Sequence, residues 1–228
     1  MLIERFDPLK EEMLQVIDEK GQVNPELEPP LPPEELKKIY NLMVMTRAAD
    51  SKALKLQRQG RMGTYAPNLG QEACQVGGGM AVQNGDWVFP HFRDLGLFLT
   101  LGFPLKNFYL YWMGNEIGSQ IPLDFNLFPL AIPVGSHLPQ AVGAGLGAQI
   151  KDQKNAVLCS FSDGATSEGD FHEAMNLAGI YKTPTVFICY NNQYAISLPR
   201  KKQTASKTLA QKALSYGFGG IIVDGNDP

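Results

Sequence analysis

Two continuous apolar runs, Ala156–Phe161 (AVLCSF) and Thr185–Tyr190 (TVFICY), narrow the folds open to this chain more than any other feature. Each has the length of a strand and no polar alternation, so each is expected to be buried on both faces. Between them, Phe171, Met175, Ala178 and Tyr181 recur at helical spacing within Ser167–Tyr181. Strand, helix and strand in that order predict a parallel β-α-β unit. The fold class expected is α/β, a doubly wound, mainly parallel sheet with helices on both faces. Ser167 followed by Asp170 resembles a capping box, although Asp is shorter than the usual Glu.

In open parallel sheets, ligands gather at the carboxyl ends of the strands. Here the first run ends in Ser162-Asp163-Gly164 and the second in Asn191-Asn192-Gln193-Tyr194. If the strands are neighbours, a carboxylate and a side-chain amide face each other across the crevice. Oxygen donors with a single carboxylate suit magnesium or calcium bridging a phosphate, not zinc. Gly164 lets the backbone approach a diphosphate, and a helix starting near Ser167 could aim its first amides at an anion. Taken singly, Asp163 reads in preference as a turn or cap residue and Asn-Asn as a turn pair. At the ends of consecutive strands they point together to a metal–diphosphate site.

The rest of the chain frames that unit. Residues 1–32 read as an arm whose stretch Asn24–Pro33 is proline-rich and extended, and residues 33–228 as the main domain. A helix is expected from Pro33, with Leu36, Ile39, Met43 and Leu54 on its apolar face and Gly60 as its stop. On or near that face, Arg47 and Asp50 could form a local ion pair or lie on a solvated edge. Gly70–Asn84 reads as a helix of small residues, Trp87–Phe89 as a short strand, and Leu95–Met113 as two short helices split at Gly102–Pro104. Leu138–Ile150 reads as a helix whose small residues, Gly145 among them, allow close contact. Ser206–Tyr216 reads as a further helix, and Ile221–Val223 as the strand on which the sheet stops, leaving an edge to be covered.

Composition removes several classes of function. Lys and Arg number 20 against 23 Asp and Glu, so no basic excess favours nucleic acid. No apolar run reaches the roughly 18 residues of a membrane span. The three cysteines are odd in number and far apart, which suits neither a disulfide framework nor a zinc site. The acidic start MLIERFDPLKEE lacks the apolar core of a signal peptide and the arginines of a transit peptide. A cytoplasmic protein is expected. Arg200-Lys201-Lys202 is the densest part of a stretch without acidic residues, and reads as a solvated loop in preference to a partner contact. His172 reads as structural or exposed, His137 as a helix-cap residue, and His91 as a neighbour of the segment that follows it.

Asp-Gly followed at a distance by Asn-Asn resembles the thiamine-diphosphate motif. The stretch from Ser162 to Ser197 resembles the alpha subunit of the first component of 2-oxo acid dehydrogenase complexes. TYAPNLGQEAC, FPHFRDLG, IPVGSHLPQAVGAGLG, KTLAQKA and VDGNDP look like segments of the same family. The resemblance implies a thiamine-diphosphate-binding fold and thiamine-diphosphate- and magnesium-dependent oxidative decarboxylation of a 2-oxo acid. The acyl group then passes to a lipoyl group of the acyltransferase component. It implies magnesium on Asp163, Asn192 and the carbonyl of Tyr194, and backbone contacts from Gly164 and Ala165 to the diphosphate. Phe92-Arg93 matches a Tyr-Arg pair, with Arg93 on phosphate and a hydroxyl lost at Phe92. Val134 matches the aliphatic residue that supports the bent cofactor, and Ile132 lines the same pocket; without the resemblance both would read as core.

The resemblance also implies a beta subunit that completes the site in an α2β2 tetramer. Pyruvate is the preferred substrate, with branched-chain 2-oxo acids next and acetoin third. A non-catalytic cofactor-binding or assembly module is the alternative class. Two departures stand out. Ser162 occupies a position that is Gly in the family, where a positive φ would strain serine by ~1 kcal/mol. The chain also stops at Pro228, before the later strands and a His-containing loop that none of its histidines matches.

Overall fold

A computed structural model describes residues 2–228. Its helices are α1 (Leu2–Arg5), α2 (Pro33–Arg58), α3 (Glu72–Met80), α4 (Leu95–Thr100), α5 (Leu105–Trp112), α6 (Leu138–Ile150), α7 (Gly169–Tyr181), α8 (Arg200–Gln203) and α9 (Gln211–Leu214). Its strands are β1 (Met13–Leu14), β2 (Trp87–Phe89), β3 (Val157–Ser162), β4 (Thr185–Tyr190), β5 (Tyr194–Ala195), β6 (Leu198–Pro199) and β7 (Ile222–Val223). The chain is mixed α/β and divides into two compact units. One takes the residues up to 28 with 85–91 and 131–224; the other takes 29–84, 92–130 and 225–228. Among the described residues, no helix is long and apolar enough to cross a membrane.

The first unit holds the expected β-α-β. Strands β2, β3 and β4 form a parallel sheet in that order, with Val157 opposite Thr185 and Ser162 opposite Tyr190. β3 lies in the centre, and its apolar residues are buried as an all-apolar run requires. β4 is at the edge and only half-buried, with Val186 exposed, so expecting both strands to be covered on both faces overstates its burial. Val88, Leu138, Val142, Phe161, Phe171 and Met175 make the core around this sheet. Helix α6 packs against β2, β3 and β4. A Cβ added at Gly145 would lie 2.8 Å from Thr185 Oγ1 and 3.2 Å from Thr183 Cβ, so the expected close contact is made there. Gly145→Val is expected to push α6 off the start of β4 and cost about 1–3 kcal/mol, read as a lower urea midpoint. Gly143, where an added Cβ meets nothing, is the control.

Two expectations fail in this unit. Ile222–Val223 does not extend the main sheet but pairs in parallel with Met13–Leu14, and Gln15 Nε2 donates to Asp224 across the same ladder at 2.6 Å. The helix expected over Ser206–Tyr216 shrinks to Gln211–Leu214. Ser206 Oγ donates to the Thr208 carbonyl, Thr208 Oγ1 accepts from the Gln211 amide, and Gln211 Oε1 accepts from the Thr208 amide. Such local bonds offer the backbone an alternative to helix.

The second unit is helical. α2 opens with Pro33 in its first turn followed by Glu34 and Glu35, and Gly60 follows its end at φ +72°. Its buried stripe is Ile39, Thr46, Ala49, Asp50, Ala53 and Leu56, while Leu36 is exposed. Thr46 satisfies its hydroxyl on the Leu42 carbonyl at 2.7 Å. Arg47 and Asp50 do not pair with each other. The Arg47 guanidinium grips both carboxylate oxygens of Glu72, and Asp50 is buried among Tyr65 and Asn68. Phe98 stacks edge-on with Phe103 and Phe108, at 5.1 and 5.4 Å between ring centroids.

Candidate functional site

Pairing of Ser162 with Tyr190 makes β3 and β4 end side by side, so Asp163 and Asn191 leave the sheet together. The residues after β3, Asp163–Ser167, form a 3-10 turn, and Glu168 precedes α7 with no side-chain cap. The capping box is therefore absent: Ser167 Oγ donates to Gln203 Oε1 instead, at 3.4 Å. Ser162 sits at φ −99°, where serine is unstrained, so its departure from glycine costs nothing in the backbone.

Asp163 is only 1% exposed. Its Oδ2 accepts from Gln203 Nε2 at 3.3 Å. Its Oδ1 is buried and has no hydrogen-bond partner among the described residues. Burial pushes the carboxyl above its usual range, opposed by the Gln203 bond, the amides of Asp163 and Gly164, and the charge of Arg200.

Beyond β4 the chain turns back on itself. Asn192 Oδ1 accepts from the Tyr194 amide at 2.9 Å, an Asx turn. Gln193 and Ile196 take φ of +72° and +55°, and β5 pairs antiparallel with β6 between Tyr194 and Pro199. This hairpin rests on the Asp163 turn: a Cβ added at Gly164 would lie 3.0 Å from Ala195 Cβ. Gly164→Val is accordingly expected to displace the hairpin, lower the melting midpoint and open Tyr194–Pro199 to proteolysis, with Gly164→Ala doing less.

The third strand end joins the same edge. Beyond β2, His91 bridges in parallel to Ala131, which starts the segment carrying Ile132 and Val134. At its far end, a Cβ on Gly135 would meet Glu168 Cβ at 3.5 Å. Ile132 and Val134 are 47% and 42% exposed, so they are not the core residues that composition alone would make them. The structure thus places Asp163, Gly164, Ala165, Asn192 and Tyr194 at one edge of the first unit, with Ile132 and Val134 on the segment that bridges to His91 just beyond β2. Among the described residues, no group of three or more His, Cys, Asp or Glu could hold a metal. A cation at this edge would be held by one carboxylate with amide and carbonyl oxygens, the hard donor set that suits magnesium.

Phe92 and Arg93 are built into the second unit. The Arg93 guanidinium donates to the Pro67 carbonyl and lies 5.6 Å from the Phe92 ring centroid. Burial lowers the Arg93 pKa, while Asp50 and Tyr65 raise it. The Arg93 carbonyl accepts from Gln75 Nε2 at 2.8 Å.

Several residues carry parts that periodicity does not reveal. Gln203 contacts Asp163 from within the run read as a solvated loop; Lys201 and Lys202 are exposed, but Arg200 turns inward to Gln193 Oε1 and the Ser206 carbonyl. Lys212 Nζ donates to the Thr166 carbonyl at 2.9 Å, and burial lowers its pKa. His137 is the N-cap residue of α6, as expected, but its side chain makes no cap bond; its buried ring meets the Ser160 carbonyl of β3 at 2.7 Å. His91 is buried, with its amide on Ser160 Oγ and its ring 5.4 Å from that of Tyr190. His172 bonds the Tyr216 hydroxyl.

Comparison with known proteins follows the same lines. The family model described as Dehydrogenase E1 component matches residues 40–228. The chain is 41% identical over 218 residues to a pyruvate dehydrogenase E1 component subunit alpha of Bacillus cereus, covering 95% of this chain and 59% of that one. It is 44% identical over 220 residues to the protein of the same name in Staphylococcus epidermidis, covering 96% and 59%. It is also 44% identical over 197 residues to a 3-methyl-2-oxobutanoate dehydrogenase subunit alpha of Mycobacterium tuberculosis, covering 86% and 54%. The chain therefore spans less than two thirds of the length of these relatives.

Proposed function

The chain belongs to the dehydrogenase E1 component family, and on that footing we propose that it is the alpha-type subunit of a 2-oxo acid dehydrogenase first component, binding thiamine diphosphate through magnesium. The observation that carries this reading is Asp163 Oδ1, a carboxylate oxygen buried at a strand end with no hydrogen-bond partner among the described residues. Such an atom costs free energy unless something binds it, and a divalent cation is the partner its charge favours. Asn192 Oδ1 spends one lone pair on the Tyr194 amide and keeps another for a cation.

Asp163 and Asn192 would hold magnesium with the Tyr194 carbonyl, and the backbone amides of Gly164 and Ala165 would meet the diphosphate. Arg93 and Phe92 lie in the second unit, and a part for Arg93 in charge-assisted phosphate binding rests on the family resemblance alone, with the hydroxyl lost at Phe92. Ile132 and Val134 would support the apolar side of the cofactor. Bound thiamine diphosphate supplies the nucleophile and the electron sink for decarboxylation. The residues of this chain bind and orient it and contribute apolar shelter from water.

The partners proposed are a beta subunit in an α2β2 assembly, a lipoylated acyltransferase component and a 2-oxo acid. Pyruvate is the preferred substrate. The equal identity to a relative named for 3-methyl-2-oxobutanoate supports the branched-chain acid as the second reading. Co-expression with a beta subunit, followed by decarboxylation assays on both acids with magnesium and thiamine diphosphate, tests the proposal. Turnover that requires both additions and is faster on pyruvate is expected. Intact cofactor binding without turnover on either acid would replace it with a cofactor-binding or assembly module.

A further inference from the structure

We infer that Gln203 is a positioning residue for the metal ligand: it holds Oδ2 of Asp163 and so turns Oδ1 toward the cation. This rests on the reading that Asp163 binds magnesium. The argument starts from the carboxylate. Its terminal torsion is broad and nearly two-fold, so an aspartate alone does not choose which oxygen it presents. In this fold the two oxygens differ sharply. Oδ2 accepts from Gln203 Nε2, and Oδ1 is buried and unpaired.

Gln203 is itself fixed from two further directions. Its Nε2 also donates to the Leu198 carbonyl at 3.3 Å, and its Oε1 accepts from Ser167 Oγ at 3.4 Å. One amide thus ties the turn after β3 to the hairpin after β4. Helix α8, which carries it, is anchored to the hairpin: the Arg200 amide donates to the Gln193 carbonyl at 2.8 Å, and Arg200 Nε to Gln193 Oε1 at 3.1 Å.

The chemistry of the donor matters as much as its place. A lysine or arginine on Oδ2 would neutralise the carboxylate and compete with a cation for it. A neutral amide orients the carboxylate and leaves its charge intact. The cations nearby are committed elsewhere, Arg200 to Gln193 and Ser206, and Lys212 to the Thr166 carbonyl. Partners of this kind, one shell behind a metal ligand, typically change metal affinity by about 10–100-fold when removed.

The test uses the full 228-residue chain with thiamine diphosphate and manganese, counting free Mn²⁺ by electron paramagnetic resonance. Gln203→Met keeps the length of the side chain and removes the donor. Gln203→Asn keeps the amide but withdraws it from Asp163. Both are expected to weaken Mn²⁺ binding at least about tenfold. Melting without metal is expected to fall modestly, because Asp163 Oδ2 loses its partner, so Mn²⁺ affinity is the readout that separates positioning from structure. Mn²⁺ affinity equal to wild type in the Gln203 variants, alongside loss in Asp163→Ala, overturns the positioning role and leaves the metal reading standing. A lowered midpoint with unchanged Mn²⁺ affinity also overturns it, as a structural role only. Wild-type affinity in Asp163→Ala removes the metal reading and this inference with it.

Discussion

Asp163→Ala is expected to abolish magnesium-dependent binding of thiamine diphosphate while making the chain without cofactor more stable. The two effects have one cause. The carboxylate is buried, yet only one of its oxygens is bonded by another side chain. Burial raises its pKa, which means that the folded state disfavours its charge. Removing it relieves that cost, and Gln203 Nε2 keeps the Leu198 carbonyl as a partner, so about 1 kcal/mol of added stability is expected. Binding moves the other way, because Asp163 is the one carboxylate in the proposed donor set, the others being the Asn192 amide and Tyr194 carbonyl oxygens. A loss of at least about a hundredfold, or ~2.7 kcal/mol, is expected. Calorimetric titration of thiamine diphosphate with and without magnesium reads the first effect, and urea unfolding of the unliganded chain reads the second. Wild-type affinity in the variant would falsify the site. Asp163→Asn keeps the volume and an acceptor, so it should fall between.

How much of this was legible in the residues follows from what side-chain patterns encode. Where one pattern answers to one environment, it is readable: the apolar run of β3, the small residues of α6 against β4, and the proline and glycine that bracket α2. Burial of β4 was overestimated because an apolar run signals a sheet strand without signalling its rank in the sheet. On α2 the expected apolar face left out Thr46, whose hydroxyl meets the Leu42 carbonyl of the same helix, while Asp50, set on or near that face as an ion pair or solvated edge, lies inside because its partners come from elsewhere in the chain. Those partners, Tyr65 and Asn68, are set by tertiary structure, and no periodicity announces them. The same holds at the site. Asp163 and Asn192 stood out because strand ends are where ligands gather. Gln203 did not, because its role depends on a hairpin that folds back onto the Asp163 turn. The helix expected over Ser206–Tyr216 failed for a local reason, the competition of Ser206, Thr208 and Gln211 for the backbone.

The largest stability effect is expected at Asp50, far along the chain from the strand ends. Asp50 Oδ1 accepts from the Tyr65 hydroxyl at 2.8 Å and from the Asn68 amide and Nδ2 at 2.6 and 3.2 Å. Asn68 in turn accepts on Oδ1 from the Leu95 amide and from Gln75 Nε2, both at 3.1 Å. Gln75 closes the network by accepting from the Gly96 amide and donating to the Arg93 carbonyl, both at 2.8 Å. One carboxylate on α2 therefore anchors the loop before α3, α3 itself and the start of α4. Asp50→Ala strips the acceptor from the Tyr65 hydroxyl and the Asn68 amide, both buried, whereas Asn68 Nδ2 keeps the Tyr65 oxygen and the Ala66 carbonyl. Each stranded donor costs about 1–3 kcal/mol, so the loss should total about 2–6 kcal/mol. That is a large share of the 5–15 kcal/mol typical of a domain. Asp50→Asn retains Oδ1 and is expected to cost about 1 kcal/mol, because only the charge assistance is lost. Urea unfolding followed by tryptophan fluorescence orders the three chains. Asp50→Ala unfolding at the wild-type midpoint would show that the buried network closes without it. The expected order, with alanine far below asparagine, requires the geometry of the acceptor to matter more than its charge.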